Sequence, residues 1–130
     1  MRRFLLGILF LLLILPFNVS ASDKVINLHL FYNSDCPHCE AEIEFLNSYL
    51  EAETNVKLYK YEVGYNVNNR NKWLEIEDLV DNHTTSVPYL VIGSEVIIGF
   101  SDGVTDGIIK DTISYYQSHN YKDVVGRYMG

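Results

Sequence analysis

Apolar and polar positions fall into blocks of different period from residue 25 onward, and the blocks predict the elements. Val25 to Tyr32 (VINLHLFY) is rich in apolar residues and reads as a first, buried strand. The period then changes. Cys39, Ile43, Leu46 and Leu50 recur every three or four residues, the buried stripe of a helix that starts at Cys36 with Pro37 in its first turn. Glu40, Glu42 and Glu44 suit the positive end of that helix. A second strand is predicted over 55–63. The polar, Asn-rich stretch 64–71 reads as a loop that enters a helix carrying Trp73, Ile76 and Val80 on one face. That helix ends at His83-Thr84-Thr85-Ser86. Tyr89 to Ile92, the turn Gly93-Ser94 and Glu95 to Phe100 have the form of a hairpin. A last helix is predicted over 105–118 with Ile108, Ile109, Thr112, Ile113 and Tyr116 inward, followed by a tail, 121–130, to which the pattern assigns no element.

The predicted order is β-α-β-α-β-β-α, an α/β domain. The first β-α-β unit demands a right-handed crossover and a parallel strand pair, and the late hairpin adds an antiparallel edge. Strands apolar on both sides require helices on both faces of a mixed central sheet.

The first residues stand apart from this pattern. Met1-Arg2-Arg3 is basic, Phe4 to Phe17 is almost unbroken apolar sequence, and Val19 and Ala21 fit the small-residue exit of a secretory signal peptide. We expect a signal segment over 1–21, cleaved after Ala21, and one domain over 22–130. The apolar run is shorter than the roughly 20 residues a spanning helix needs; the alternative is an uncleaved N-terminal anchor. Either way the domain is expected outside the cytoplasm: secreted, periplasmic or in the cell envelope. Without Arg2 and Arg3, 8 basic residues face 17 acidic ones. Such a surface repels nucleic acid and anionic lipid, so a nucleic-acid partner is not expected.

Cys36 and Cys39 are the only cysteines in the chain, in the run Cys-Pro-His-Cys. A disulfide across so short a loop removes little chain entropy and is a poor staple. Its better use is to be opened and closed. Thiol–disulfide exchange needs an exposed thiolate and a second sulfur to resolve the mixed disulfide. Cys36 at a helix N-terminus faces unpaired N–H groups, which favour the thiolate, and Cys39 lies one turn further, pointing inward. Cys36 is therefore the candidate nucleophile and Cys39 the resolving thiol. His38, between them, is a candidate stabiliser of the Cys36 thiolate, while the carboxylate of Asp35 opposes it. Zinc sites commonly need four ligands, and one Cys pair with scattered His29, His83 and His119 does not predict a metal.

Three features in order resemble the thioredoxin superfamily over essentially the whole mature chain: a strand leading to Cys36-Pro37-His38-Cys39 on a helix tip, Ser86-Val87-Pro88 opening the third strand, and the hairpin 89–100 followed by Gly and Asp. The resemblance implies a thioredoxin fold and thiol–disulfide oxidoreductase activity, with the Cys36–Cys39 pair as the redox group and no dissociable cofactor. It implies that Val87–Pro88 is cis and that Val87 and Pro88 position substrate. Pro-His between the cysteines is similar to oxidising, DsbA-like members. The buried acid that many members carry six residues before the first cysteine is absent; Leu30 stands there. With that acid gone, Lys60 reads as a strand-surface charge. The implied partners are cysteine-containing exported proteins or a membrane redox protein. Two alternatives remain open. The stretch 87–102 also resembles glutaredoxin, which would make glutathione a co-substrate, although Phe100 replaces a glycine of that family's turn. A non-catalytic redox-sensing or binding module of the same fold is the other.

Overall fold

A computed structural model describes residues 24–130; the expected signal segment over 1–21 lies outside the described residues. The elements are β1 (Ile26–Tyr32), α1 (Pro37–Leu50), β2 (Val56–Glu62), α2 (Val67–Leu79), β3 (Tyr89–Ile92), β4 (Glu95–Ile98), α3 (Thr105–Ser118) and α4 (Val124–Met129). The sheet order is β2-β1-β3-β4. β1 and β2 run parallel, with Ile26 opposite Val56 and Tyr32 opposite Glu62. β3 lies antiparallel to β1, Tyr89 facing Phe31, and β4 antiparallel to β3. This is the expected mixed α/β sheet.

The pleat splits the core in two. Ile26, Leu28 and Leu30 point to one face, where they meet Leu46 of α1 and Ile109, Ile113 and Tyr116 of α3. Phe31, Tyr89 and Val91 point to the other face, against Trp73 and Ile76 of α2 and Val125 of α4. A strand buried on both sides explains why β1 is rich in apolar residues, found at both odd and even positions.

The structure departs from the periodic reading in several places. α2 begins at Val67 inside the stretch read as a loop, because the Asn66 side chain caps it, accepting the N–H of Asn69 at 3.0 Å. It ends at Leu79, so 81–86 is a loop rather than the end of a helix. β4 stops at Ile98. Ile108, expected inward, is exposed, and Thr105 occupies the buried face of α3 instead. The tail forms α4, capped by Asp123, whose Oδ1 accepts the N–H of Gly126 at 2.8 Å. Asp123 also anchors the tail to β1 through Asn27 Nδ2 at 2.8 Å and His29 Nε2 at 2.9 Å. The last departure is Glu42. It does not sit at the solvated positive end of α1 but is fully buried on the stripe of Cys39 and Leu46.

Candidate functional site

The site forms where β1 ends. After Tyr32 the chain turns through Asn33, whose side chain accepts the N–H of Asp35 at 2.8 Å and whose carbonyl accepts the N–H of Cys36 at 3.1 Å. Cys36 is then the cap residue of α1, with Pro37 in the first turn, where its missing N–H has no intrahelical partner to lose. Cys36 is half-buried and Cys39 fully buried; both are free cysteines. The N–H of Cys39 donates to Cys36 Sγ at 3.2 Å, a contact stronger for a negatively charged sulfur than for a neutral one. One turn of helix thus carries a half-buried sulfur at its tip, less open than expected, and a buried one behind it.

Cys39 stays protonated at neutral pH. Burial pushes its thiol up to about 12, with further upward pushes from the hydrogen bond to Cys36 and from the charges of Cys36 and Glu42. Glu42, one turn beyond Cys39 on the same buried face, has neither carboxylate oxygen hydrogen-bonded within the protein. Burial pushes it up to about 8. An uncharged acid therefore lies close enough to Cys39 for its ionisation to be felt by the thiol. The periodic reading missed this residue. The available signal was its position, three residues after Cys39 and four before Leu46. Leu30 is fully buried and apolar, as its identity required. Lys60 on β2 is exposed.

His38 is exposed, and its Nδ1 donates to the carbonyl of Phe100 at 3.1 Å, leaving Nε2 free. The neighbouring Gly99 N–H donates to the carbonyl of Pro88 at 2.9 Å. These two bonds tie the Cys-Pro-His-Cys tip, the end of β4 and the start of β3 together. The Val87–Pro88 peptide is cis, with Pro88 buried and Val87 half-buried. Because Tyr89 pairs with Phe31, Pro88 lies at the end of the sheet from which the Cys36 loop departs. The carboxylate of Asp35 accepts a hydrogen bond from the hydroxyl of exposed Tyr65, which shares its charge beside Cys36.

The turn that resembles a glutathione-binding nest is already engaged. Gly99 N–H goes to Pro88, Ser101 N–H goes to Thr105 Oγ1 at 2.9 Å, and Phe100 is buried against the ring of Phe45 at 5.6 Å. Among the described residues no group of three His, Cys, Asp or Glu side chains is placed to hold a metal ion, and no helix is long and apolar enough to cross a membrane.

The sequence matches no protein-family model and no curated protein. The fold does match a solved structure. The chain is similar to a solution structure titled as that of a putative thioredoxin from Neisseria meningitidis, with a TM-score of 0.50 and 11% identity over 78% of this chain and 81% of that one. The likeness shows the thioredoxin fold.

Proposed function

We propose that this thioredoxin-fold protein is an extracytoplasmic thiol–disulfide oxidoreductase that exchanges disulfides with cysteines of exported proteins or with a membrane redox partner. The observation that carries the reading is the arrangement of Cys36, Cys39 and Glu42 along one face of α1: an accessible sulfur receiving an N–H, a buried thiol behind it, and an acid behind that.

In the reducing direction the Cys36 thiolate attacks one sulfur of a substrate disulfide. That bond breaks, a substrate thiolate leaves, and a Cys36–substrate disulfide forms. Cys39 then gives its proton to Glu42 in its ionised form, the minor one below about 8, and attacks Cys36 Sγ. The second substrate thiolate leaves, and the cysteine pair holds the disulfide. In the oxidising direction the same steps reverse: Cys39 departs from the Cys36–Cys39 bond and takes its proton from neutral Glu42. An acid lifted to about 8 suits both tasks near neutral pH. Val87 and Pro88 offer backbone at the open end of the sheet for an incoming peptide, and His38 steadies the tip on Phe100. The redox group is the cysteine pair itself, with no dissociable cofactor. The engaged amides of Gly99 and Ser101 favour a protein cysteine over glutathione as partner.

Turnover of an oxidised cysteine-containing peptide tests this. Cys36→Ser is expected to abolish exchange, and Cys39→Ser to accumulate a covalent mixed disulfide visible by mass spectrometry. Full turnover by Cys36→Ser would remove the assignment.

A further inference from the structure

Proton transfer at Cys39 uses Glu42 and leaves a second buried glutamate without a role. Glu77 lies on α2 on the same face as Trp73 and Ile76 and is only 2% exposed. Its Oε1 accepts the backbone N–H of Thr85 at 2.8 Å and of Thr84 at 3.3 Å. Its own carbonyl accepts the N–H of Asn82 at 3.0 Å, and the Tyr89 hydroxyl donates to the carbonyl of Asn82 at 3.1 Å. Burial, and then the charge of Glu77, push the Tyr89 phenol up, which keeps its hydroxyl a donor. Four bonds therefore fasten the segment 82–85 from below.

That segment is an unusual one to fasten. Thr84, Thr85 and Ser86 are exposed residues, yet the amides of Thr84 and Thr85 turn inward to Glu77, and those two bonds are partly buried. A buried carboxylate is costly unless it is hydrogen-bonded, so Glu77 and the segment 84–85 hold each other: the acid keeps its place only with the two amides in this position. Thr85, a β-branched residue, also sits in the left-handed region with φ of 50°, a conformation it keeps only when its surroundings hold it. Two residues later come Val87 and Pro88.

We infer that Glu77 is a positioning residue for peptide substrates: it sets the 84–86 segment so that the backbone of Val87 receives an extended, cysteine-bearing chain in one pose. The inference rests on the reading of Val87 and Pro88 as the edge that meets substrate. It makes Glu77 a determinant of substrate class. A peptide disulfide needs the preset backbone; a small disulfide reaches Cys36 without it.

The test is steady-state reduction of two substrates by the purified protein, an oxidised cysteine-containing peptide and cystamine, with dithiothreitol as electron donor. Glu77→Ala is expected to raise KM for the peptide about tenfold with kcat held within about twofold, while cystamine kinetics stay within about twofold. Glu77→Gln keeps the accepting oxygen and is expected to restore the peptide KM. Glu77→Asp keeps the charge but withdraws the oxygen by one methylene, and is expected to behave like Glu77→Ala, which covers the case in which alanine fails to fold. Backbone amide exchange at Thr84 and Thr85 should quicken in Glu77→Asp while β1 and β3 keep their protection. An unchanged peptide KM in Glu77→Ala and Glu77→Asp, or equal losses on both substrates, overturns the inference and leaves the oxidoreductase reading standing. Wild-type protein that turns over neither substrate removes that reading and this inference together.

Discussion

Two glutamates are buried on opposite faces of one sheet, and their surroundings give them opposite characters. Glu42 packs on the α1–α3 face, fully buried, with no hydrogen-bond partner in the protein for either oxygen. Glu77 packs on the α2–α4 face, almost as deeply buried, with two backbone amides on one oxygen. A carboxylate withdrawn from water with nothing in exchange holds its proton, so Glu42 is lifted to about 8. A carboxylate that receives N–H groups is an acceptor that organises backbone. One side chain thus stores a proton beside a sulfur, and the other fixes a loop. The difference lies in what the fold leaves beside each, not in depth of burial.

Stability should separate the two most widely. The folded state keeps Glu42 protonated up to about 8, whereas an unfolded chain releases that proton near the ordinary 4.5. Between those values the folded state binds the extra proton, so Glu42 makes stability fall as pH rises through the window; the titration penalty is absent below it and complete above it. The whole span amounts to on the order of 5 kcal/mol. Glu42→Leu is therefore expected to stabilise the protein, by several kcal/mol at pH 8 and by much less at pH 5. Glu77→Leu strands the amides of Thr84 and Thr85 and should cost about 1–3 kcal/mol at both pH values. Urea unfolding of both variants at pH 5 and 8 checks this. Shifts of the same sign would break the comparison.

Kinetics sharpen it. If Glu42 moves the Cys39 proton, Glu42→Gln should slow resolution of a preformed Cys36–peptide disulfide by about tenfold to a hundredfold. The inflection near pH 8 in the wild-type rate should vanish with it. Rapid-quench mass spectrometry across pH 6 to about 9 reads both. A Gln variant that is slower yet keeps the inflection would assign the effect to packing.

Much of this site was legible in the chain. Pro37 beside a cysteine, the change of period at Cys39 and the hairpin after Pro88 placed the two sulfurs and the neighbouring strand correctly, because these signals are local. α3 fell at 105–118 for the same reason. The two glutamates were not legible. Alternating acids at 40, 42 and 44 match a helix dipole, and periodicity does not say whether the position three or four residues after Cys39 turns inward. Glu77 stands four residues after Trp73 and three before Val80, inside an apolar stripe, yet its partners lie in a loop whose course no pattern gives. The Asn-rich stretch hid a cap at Asn66. α4 was invisible because the contacts that pin it, from Asn27 and His29 to Asp123, join residues far apart in sequence.

The smallest effect separates Glu77 from the loop it holds. Thr85 occupies the left-handed region, which costs a residue with a Cβ about 1–2 kcal/mol. Glycine removes that cost but frees the unfolded chain by roughly 0.5–1 kcal/mol. Thr85→Gly should therefore leave stability unchanged or raise it by up to about 1.5 kcal/mol. Its N–H remains, and so does the bond to Glu77 Oε1. If the acid is what sets the loop, the peptide KM of Thr85→Gly stays within about twofold of wild type, far from the Glu77→Ala value. A KM that rises as far in Thr85→Gly as in Glu77→Ala would move the positioning role from the buried carboxylate to the stiffness of the β-branched residue above it. The two buried acids would then differ only in stability.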